Sequence, residues 1–233
     1  MNLDETFMPR GTRPAPSTDT ETLVVGAIEE RSYVAGPGTR SVVWVSGCHR
    51  RCPGCLKPDL FSFEAGRKIS VDEVYQRLAL LAGVDGVTFS GGEPFEQPLA
   101  LARLAARLRA IGRNIVIYTG YRHREMVNNG HEGMRLLLAE TDILIDGEYR
   151  EDLENPGRWR GSANQGLVPL STRGRDLLAA AAELPALQEI QVSSDGTHMR
   201  LTGCPDGGFF NRWLVELERR GLVVVPRAGG ETK

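Results

Sequence analysis

The sequence predicts an α/β protein built around parallel strands. Three observations carry this. From residue 41 to 145 short apolar runs alternate with helical stripes in the order β-α-β-α-β-α-β, a pattern that implies parallel strands joined by right-handed crossovers. Polar and glycine-bearing motifs follow those strands directly, the place where parallel α/β folds bind ligands. Hydrophobic residues make up 41% of the 233, enough for a core in one large domain or one domain with an appendage.

Taken in order, residues 1–21 read as a disordered tail, with four residues of Pro or Gly (Pro9, Gly11, Pro14, Pro16) and a Ser/Thr/Asp run. Leu23–Ile28 and Tyr33–Val34 read as short strands, and Gly36-Pro37-Gly38 as a turn. Ser41–Ser46 is a buried strand that delivers the chain to a cysteine-bearing loop. Ser70 with Glu73 three residues later is a capping box, followed by a helical stripe of Val71, Val74, Leu78 and Leu81. Gly86–Phe89 is a strand, Leu101 to Ile111 a helix, and Ile115–Tyr118 a strand. Residues 122–139 are helical with an interruption at Asn128-Asn129-Gly130, and Asp142–Ile145 is a strand. Residues 147–172 show no clear period. Beyond them come an Ala/Leu helix (Arg173–Leu184), two strands (Leu187–Ser193 and Met199–Thr202) around the Asp195-Gly196 turn, a helix on Phe210, Leu214 and Leu217, and a last strand, Leu222–Val225. The expected organisation is therefore a tail at 1–21, a core domain at 22–172, and an α+β extension at 173–233 packed on the core.

Charge and composition exclude several classes. A formal net charge of −2 advertises no nucleic-acid partner. No run of 18 apolar residues predicts a membrane span, and the polar N-terminus lacks the apolar segment of a secretory signal. Four cysteines in so long a chain make no disulfide scaffold; their clustering points to a metal and a reducing cytoplasm.

Chemistry concentrates in a few motifs. Cys48, Cys52 and Cys55 form C-x3-C-x2-C just after an apolar strand. Zinc prefers four ligands in two separated pairs. No second pair exists here, His49 is awkwardly close to Cys48, and Cys204 stands alone in the sequence as a small buried hydrophobe. Three close thiolates without a fourth fit a 4Fe–4S cluster that keeps one iron open. Ser90-Gly91-Gly92-Glu93-Pro94 follows the next strand; paired glycines let a ligand approach the backbone, and Glu93 offers an acceptor for an ammonium group. Thr119 lies after the third strand. Asp146 closes the fourth, either pairing there or binding something. Trp159-Arg160-Gly161-Ser162-Ala163-Asn164-Gln165 is a polar loop able to grip a carboxylate or a peptide backbone.

Together these motifs resemble the radical S-adenosylmethionine (SAM) enzymes. More narrowly, Gly36–Arg40, Cys48–Cys55, Ser90–Pro94, Thr119-Gly120-Tyr121, Asp146-Gly147 and Trp159–Gln165 resemble the activating enzymes of anaerobic (class III) ribonucleotide reductases. The resemblance runs from about residue 23 to 170. It implies a partial, open (β/α)6 barrel with the α+β extension added. It implies that Cys48, Cys52 and Cys55 hold three irons, that the fourth iron chelates SAM, and that Gly91, Gly92 and Glu93 hold the methionine ammonium. Thr119 and Asp146 match positions beside the SAM carboxylate, around a monovalent cation. The implied reaction is reductive cleavage of SAM and hydrogen abstraction from a glycine of a partner protein, with Arg160, Ser162 and Asn164 on the partner loop. Flavodoxin or another low-potential donor would supply the electron, with Arg50 and Arg51 adding positive charge. Two departures stand out: Leu56-Lys57 replaces the usual aromatic and Asn, and about 60 residues follow Gln165. A radical SAM enzyme acting on a peptide or small molecule, and a protein that merely carries a cluster, are the competing readings. The Gly-Gly-Glu motif speaks against the second, since a carrier needs no SAM pocket.

Overall fold

A computed structural model describes residues 19–154, 157–184, 189–194, 199–205 and 208–221. Chain order is β1 (Thr22–Ser32), β2 (Arg40–Val45), β3 (Arg67–Ser70), α1 (Val71–Ala79), β4 (Gly86–Gly91), α2 (Pro98–Ala110), β5 (Asn114–Thr119), α3 (His123–Asn129), α4 (Glu132–Ala139), β6 (Ile143–Asp146), β7 (Gly166–Pro169), α5 (Thr172–Ala182), β8 (Ile190–Ser194), β9 (Met199–Gly203) and α6 (Phe209–Arg219). Seven strands form one sheet in the order β3-β1-β2-β4-β5-β6-β7, and β8 pairs with β9 in a separate two-stranded sheet.

The centre, β2-β4-β5-β6, is parallel. β1 runs antiparallel to β2 and β3, and β7 antiparallel to β6. The expected α/β class and parallel core are therefore present, whereas a six-fold β/α repeat is not seen among the described residues. The reason is connectivity. Parallel neighbours need a crossover, usually a helix, and β6 reaches β7 through a loop whose one regular piece among the described residues is a short 3-10 turn at Glu151–Leu153. β1 turns back into β2 through the glycine turn after Ser32.

Alternation along the central strands makes two faces. Val43, Val45, Val87, Phe89, Ile115, Ile117 and Leu144 join the main core with Val74, Leu78, Leu101, Leu104, Leu108 and Leu137 of the helices. Each such fully buried side chain contributes roughly 1.5–3 kcal/mol. The opposite face carries Val42 and Trp44 with Leu60 in one cluster, and Val116, Ile143 and Ile145 in another, where Trp159, Leu177 and Leu178 pack. Helix α5 thus covers the far side of β5 and β6.

Local signals explain most boundaries. Ser70 caps α1, its Oγ accepting the Glu73 N–H at 3.0 Å; the Glu73 carboxylate turns to Arg67 instead of closing the box. Pro98 opens α2 at a position that needs no N–H. The Asn-Asn-Gly break divides α3 from α4, as expected. Three strand expectations need correction. β1 is one 11-residue strand, and Tyr33–Val34 lies beyond it. β3 and β7 fall where no strand was expected: β3 has a single apolar residue, and β7 is a four-residue edge strand ending in Pro169, a residue tolerated at edges. Residues 1–18, the Asp195-Gly196 turn and Leu222–Val225 lie outside the described residues.

Candidate active site

The loop after β2 carries the three clustered thiols. Gly47, with φ of 98°, turns the chain out of the strand, and the Gly47 and Cys48 amides donate to Leu60 and Phe61 carbonyls at 2.9 and 3.1 Å, closing the loop at its base. Within it the Cys55 N–H donates to the Cys52 carbonyl at 3.2 Å. Burial pushes the Cys48 thiol up to about 11, opposed by the amides of Arg51 and Arg50 that donate to it. Burial likewise raises Cys52 and Cys55. Cys55 Sγ accepts the Lys57 amide at 3.5 Å, the type of contact that tunes a sulfur-ligated metal. Among the described residues no three His, Cys, Asp or Glu side chains converge as for a single ion.

Gly91 and Gly92 press against this loop. A Cβ on Gly91 would stand 2.4 Å from the Val45 carbonyl oxygen, and one on Gly92 2.4 Å from that of Gly47. The Gly92 and Glu93 amides donate to those same two carbonyls at 2.7 and 2.8 Å. The glycines thus let one backbone approach another, welding the loop after β4 to the cysteine loop.

Glu93 is 1% exposed. Its Oε1 accepts the Phe95 N–H at 3.0 Å and the Thr119 hydroxyl at 2.9 Å, and Oε2 accepts the Gly120 N–H at 2.8 Å. Three donors occupy a carboxylate with about four acceptor positions. Burial raises its pKa while these donors and Arg50 oppose it. Thr119 and Asp146 are register partners at the ends of β5 and β6. Asp146, also buried, accepts the His123 N–H at 2.8 Å through Oδ2 and the Gly166 N–H at 3.2 Å through Oδ1. It ties the start of α3 to the start of β7.

The Trp159–Gln165 segment is knotted on itself. Ser162 is fully buried and its Oγ accepts the Arg150 N–H at 3.1 Å. Gln165 Oε1 accepts the Gly161 amide at 2.8 Å, and its Nε2 donates to the Gly147 carbonyl at 2.9 Å. Asn164 Nδ2 donates to the Glu148 carbonyl at 2.8 Å. Most of the polar groups expected to face a partner therefore hold their own loop, because a half-buried irregular segment must satisfy its backbone. Trp159, at φ 60°, packs on the apolar cluster over β5 and β6. Arg50 needs a similar correction. It is paired with Glu148 and lies over the Tyr121 ring at 4.4 Å, so it offers no free charge; the exposed cation of that pair of arginines is Arg51.

Several contributors escaped the sequence reading. Glu96 is 2% exposed and pairs its Oε2 with His49 Nδ1 at 3.2 Å. Gln97 substitutes for a strand edge, accepting the Val24 amide at 2.7 Å and donating to the Val24 and Ser46 carbonyls. The position of both, just after the Gly-Gly-Glu run, was the available signal. Cys204, remote in sequence, lines one cavity together with Cys55, Gly91, Trp44, Thr88 and Tyr118; burial pushes its thiol up to about 11.

Residues 34–168 match the model of the 4Fe-4S single cluster domain family. The chain is 32% identical over 145 residues to the anaerobic ribonucleoside-triphosphate reductase-activating protein of Vibrio cholerae, covering 57% of this chain and 88% of that one. It is 33% identical over 141 residues to the protein of that name from Escherichia coli strain K12, covering 57% and 89%. With that of Enterobacteria phage T4 it shares 28% over 141 residues, covering 58% and 86%. The chain belongs to this activating-protein family. It is accordingly an iron–sulfur enzyme of the radical SAM kind, with a 4Fe–4S cluster and SAM as cofactors.

The donor set suits that cofactor. Three thiols on a single loop match three irons of a four-iron cluster. Among the described residues Ser46 Oγ, Arg50 Nε, Arg160 Nε and Asn164 Oδ1 are buried at this end of the sheet with no partner, which leaves polar capacity beside the thiols. Among the described residues no helix is long and apolar enough to cross a membrane.

Proposed function

We propose that this chain is a glycyl-radical activase acting on an anaerobic ribonucleotide reductase. One observation carries the reading. The cysteine loop, Gly91-Gly92-Glu93, Thr119 and Asp146 all sit at the C-terminal ends of adjacent parallel strands, and Cys55 and Gly91 share one cavity. In this reading Cys48, Cys52 and Cys55 hold the cluster, and Gly91, Gly92 and Glu93 receive the methionine end of SAM. Thr119 and Asp146 lie beside its carboxylate, with a monovalent cation. A 4Fe–4S cluster held there would supply the one electron for reductive cleavage of SAM, and the chemistry so supplied would serve to remove an α-hydrogen from a glycine of the partner.

What the chain contributes is position. Glu93 fastens the loops after β4 and β5 with hydrogen bonds of 2.8–3.0 Å, so that binding groups need no rearrangement when SAM arrives. Its remaining acceptor position is the one left for the ammonium. The low exposure of these loops keeps water from the reacting atoms. Residues 22–172 are the catalytic core and 173–233 the extension. Arg160, Ser162 and Asn164 shape the loop on which the partner docks. A low-potential carrier such as flavodoxin, steered in part by Arg51, is the electron source, and the protein works in the cytoplasm, unbound to membrane or nucleic acid.

The test is anaerobic reconstitution followed by mixing with reductant, SAM and the reductase of the same organism. 5′-Deoxyadenosine together with a glycyl radical seen by electron paramagnetic resonance supports the reading. 5′-Deoxyadenosine without a radical on the reductase refutes the choice of partner.

A further inference from the structure

We propose that the β8–β9 pair is a side wall of the SAM cavity and that Glu29 is the clamp that holds it there. The proposal rests on the reading of the SAM site above, from which Cys55 and Gly91 reach this cavity. Glu29 lies on β1, where alternation alone would place it with Leu23 and Val25 on the helix-covered face. A bulge intervenes: Val25 pairs with Val45, but Ala27 with Trp44, so two residues of β1 advance against one of β2. An extra residue in one strand reverses which face every later side chain meets. Ile28 consequently joins the main core, while Ala27 packs against Val42 and Trp44, and Glu29 follows Ala27 to the opposite face.

There Glu29 is 5% exposed, and its partners come from the other end of the chain. Gln191 Nε2 and Ser193 Oγ of β8 donate to Oε1 at 2.8 and 3.1 Å, and Thr202 Oγ1 of β9 donates to Oε2 at 2.6 Å. Gln191 also donates to the Arg31 carbonyl at 2.7 Å and accepts the Tyr33 amide at 2.9 Å. A buried carboxylate that collects three side-chain donors across more than 160 residues is a fixed anchor, since removing it strands every donor. From this anchor β9 continues so that Leu201, Thr202, Gly203 and Cys204 line the same cavity as Cys55 and Gly91. The matched family segment ends at residue 168, and the Vibrio relative has 88% of its length used in its match. The wall is thus built from chain that the family core does not supply. Its chemical effect is exclusion: a radical formed beside Cys55 meets protein on this side rather than solvent or a dissolved thiol, and substrate must enter past the strand ends.

Cluster-loaded Glu29→Ala protein tests this by hydrogen–deuterium exchange, SAM affinity and the ratio of 5′-deoxyadenosine formed to product radical formed. Amides of 190–194 and 199–203 should exchange roughly ten- to a hundred-fold faster, the effect of losing hydrogen bonds to a charged group. SAM binding should weaken and the ratio rise, with iron content unchanged. Unaltered exchange overturns the clamp. Faster exchange with unaltered SAM affinity and ratio overturns the wall. Thr202→Val deletes one donor while keeping the carboxylate, and reads the same quantities in smaller measure if Glu29→Ala does not fold. Failure of the wild-type protein to bind SAM would instead defeat the reading of the site, and leaves the exchange result on Glu29 standing as a separate answer.

Discussion

At the N-terminal ends of β2, β4 and β5 the guanidinium of Arg40 is completely buried. It donates to Thr88 Oγ1, the Pro37 and Val87 carbonyls and both Asn114 oxygens at 2.6–3.2 Å. Burial pulls its pKa down to about 10, which leaves it charged at neutral pH. Gly36 and Gly38, at φ of 137° and 74°, make room for its stem and for Asp85. At the opposite end of the sheet the atoms Ser46 Oγ, Arg50 Nε, Arg160 Nε and Asn164 Oδ1 are buried without a partner among the described residues. A fully paired buried cation fixes a fold, whereas unpaired buried polar atoms gather mostly at the other end, Arg113 Nε before β5 being the exception among the described residues. One sheet thus has a structural end and a reactive end, as parallel folds generally do.

Substitutions should separate the two ends. Cys48→Ser, Cys52→Ser or Cys55→Ser should abolish the cluster's charge-transfer absorption and all 5′-deoxyadenosine formation, with circular dichroism unchanged; Cys204→Ala should keep its iron. Iron retained by all three serine variants would remove the loop as the ligand set. Arg40→Met should do the reverse, lowering stability by about 3–5 kcal/mol, because buried acceptors lose their cation. Denaturant unfolding measures this, and a protein of ordinary stability would mean that the paired end is not the anchor.

Glu93→Ala tests two roles within the reactive end, since Glu93 is both buried clasp and ligand candidate. SAM affinity should fall roughly ten- to a hundred-fold, the worth of a charged hydrogen bond, while the cluster stays. Calorimetric titration giving the wild-type dissociation constant would confine Glu93 to the clasp. The smallest effect belongs to Arg160→Ala, which removes a side chain whose hydrogen bond to the Gln165 carbonyl is long at 3.4 Å. SAM cleavage with a chemical reductant should largely survive and radical formation on the partner should drop. Equal loss of both would place Arg160 with folding or SAM binding.

The reactive end was the more legible in the sequence. Its residues come in short runs after apolar strands, so spacing alone put Cys48–Cys55, Gly91–Glu93, Thr119 and Asp146 on one side. What each side chain does was not legible. Asp146 and Glu93 turn out to accept backbone amides, and Ser162 and Gln165 bind their own loop; a sequence shows a polar type but not the donor it meets. The structural end was nearly silent, because a buried arginine reads like any surface one. Glu29 was hidden twice, by the bulge that reverses its face and by partners from the far end of the chain. The barrel came from the resemblance alone; the sheet shows the parallel centre that periodicity indicates, while the antiparallel directions of β1 and β7 were not legible, because periodicity reports a strand without its direction.

The most direct test uses partner reductase carrying α-deuterated glycine, mixed anaerobically with loaded enzyme, SAM and reductant. Deuterium should appear in 5′-deoxyadenosine as the glycyl radical signal grows on the partner. Unlabelled 5′-deoxyadenosine and no radical signal, with the cluster intact, would contradict the account.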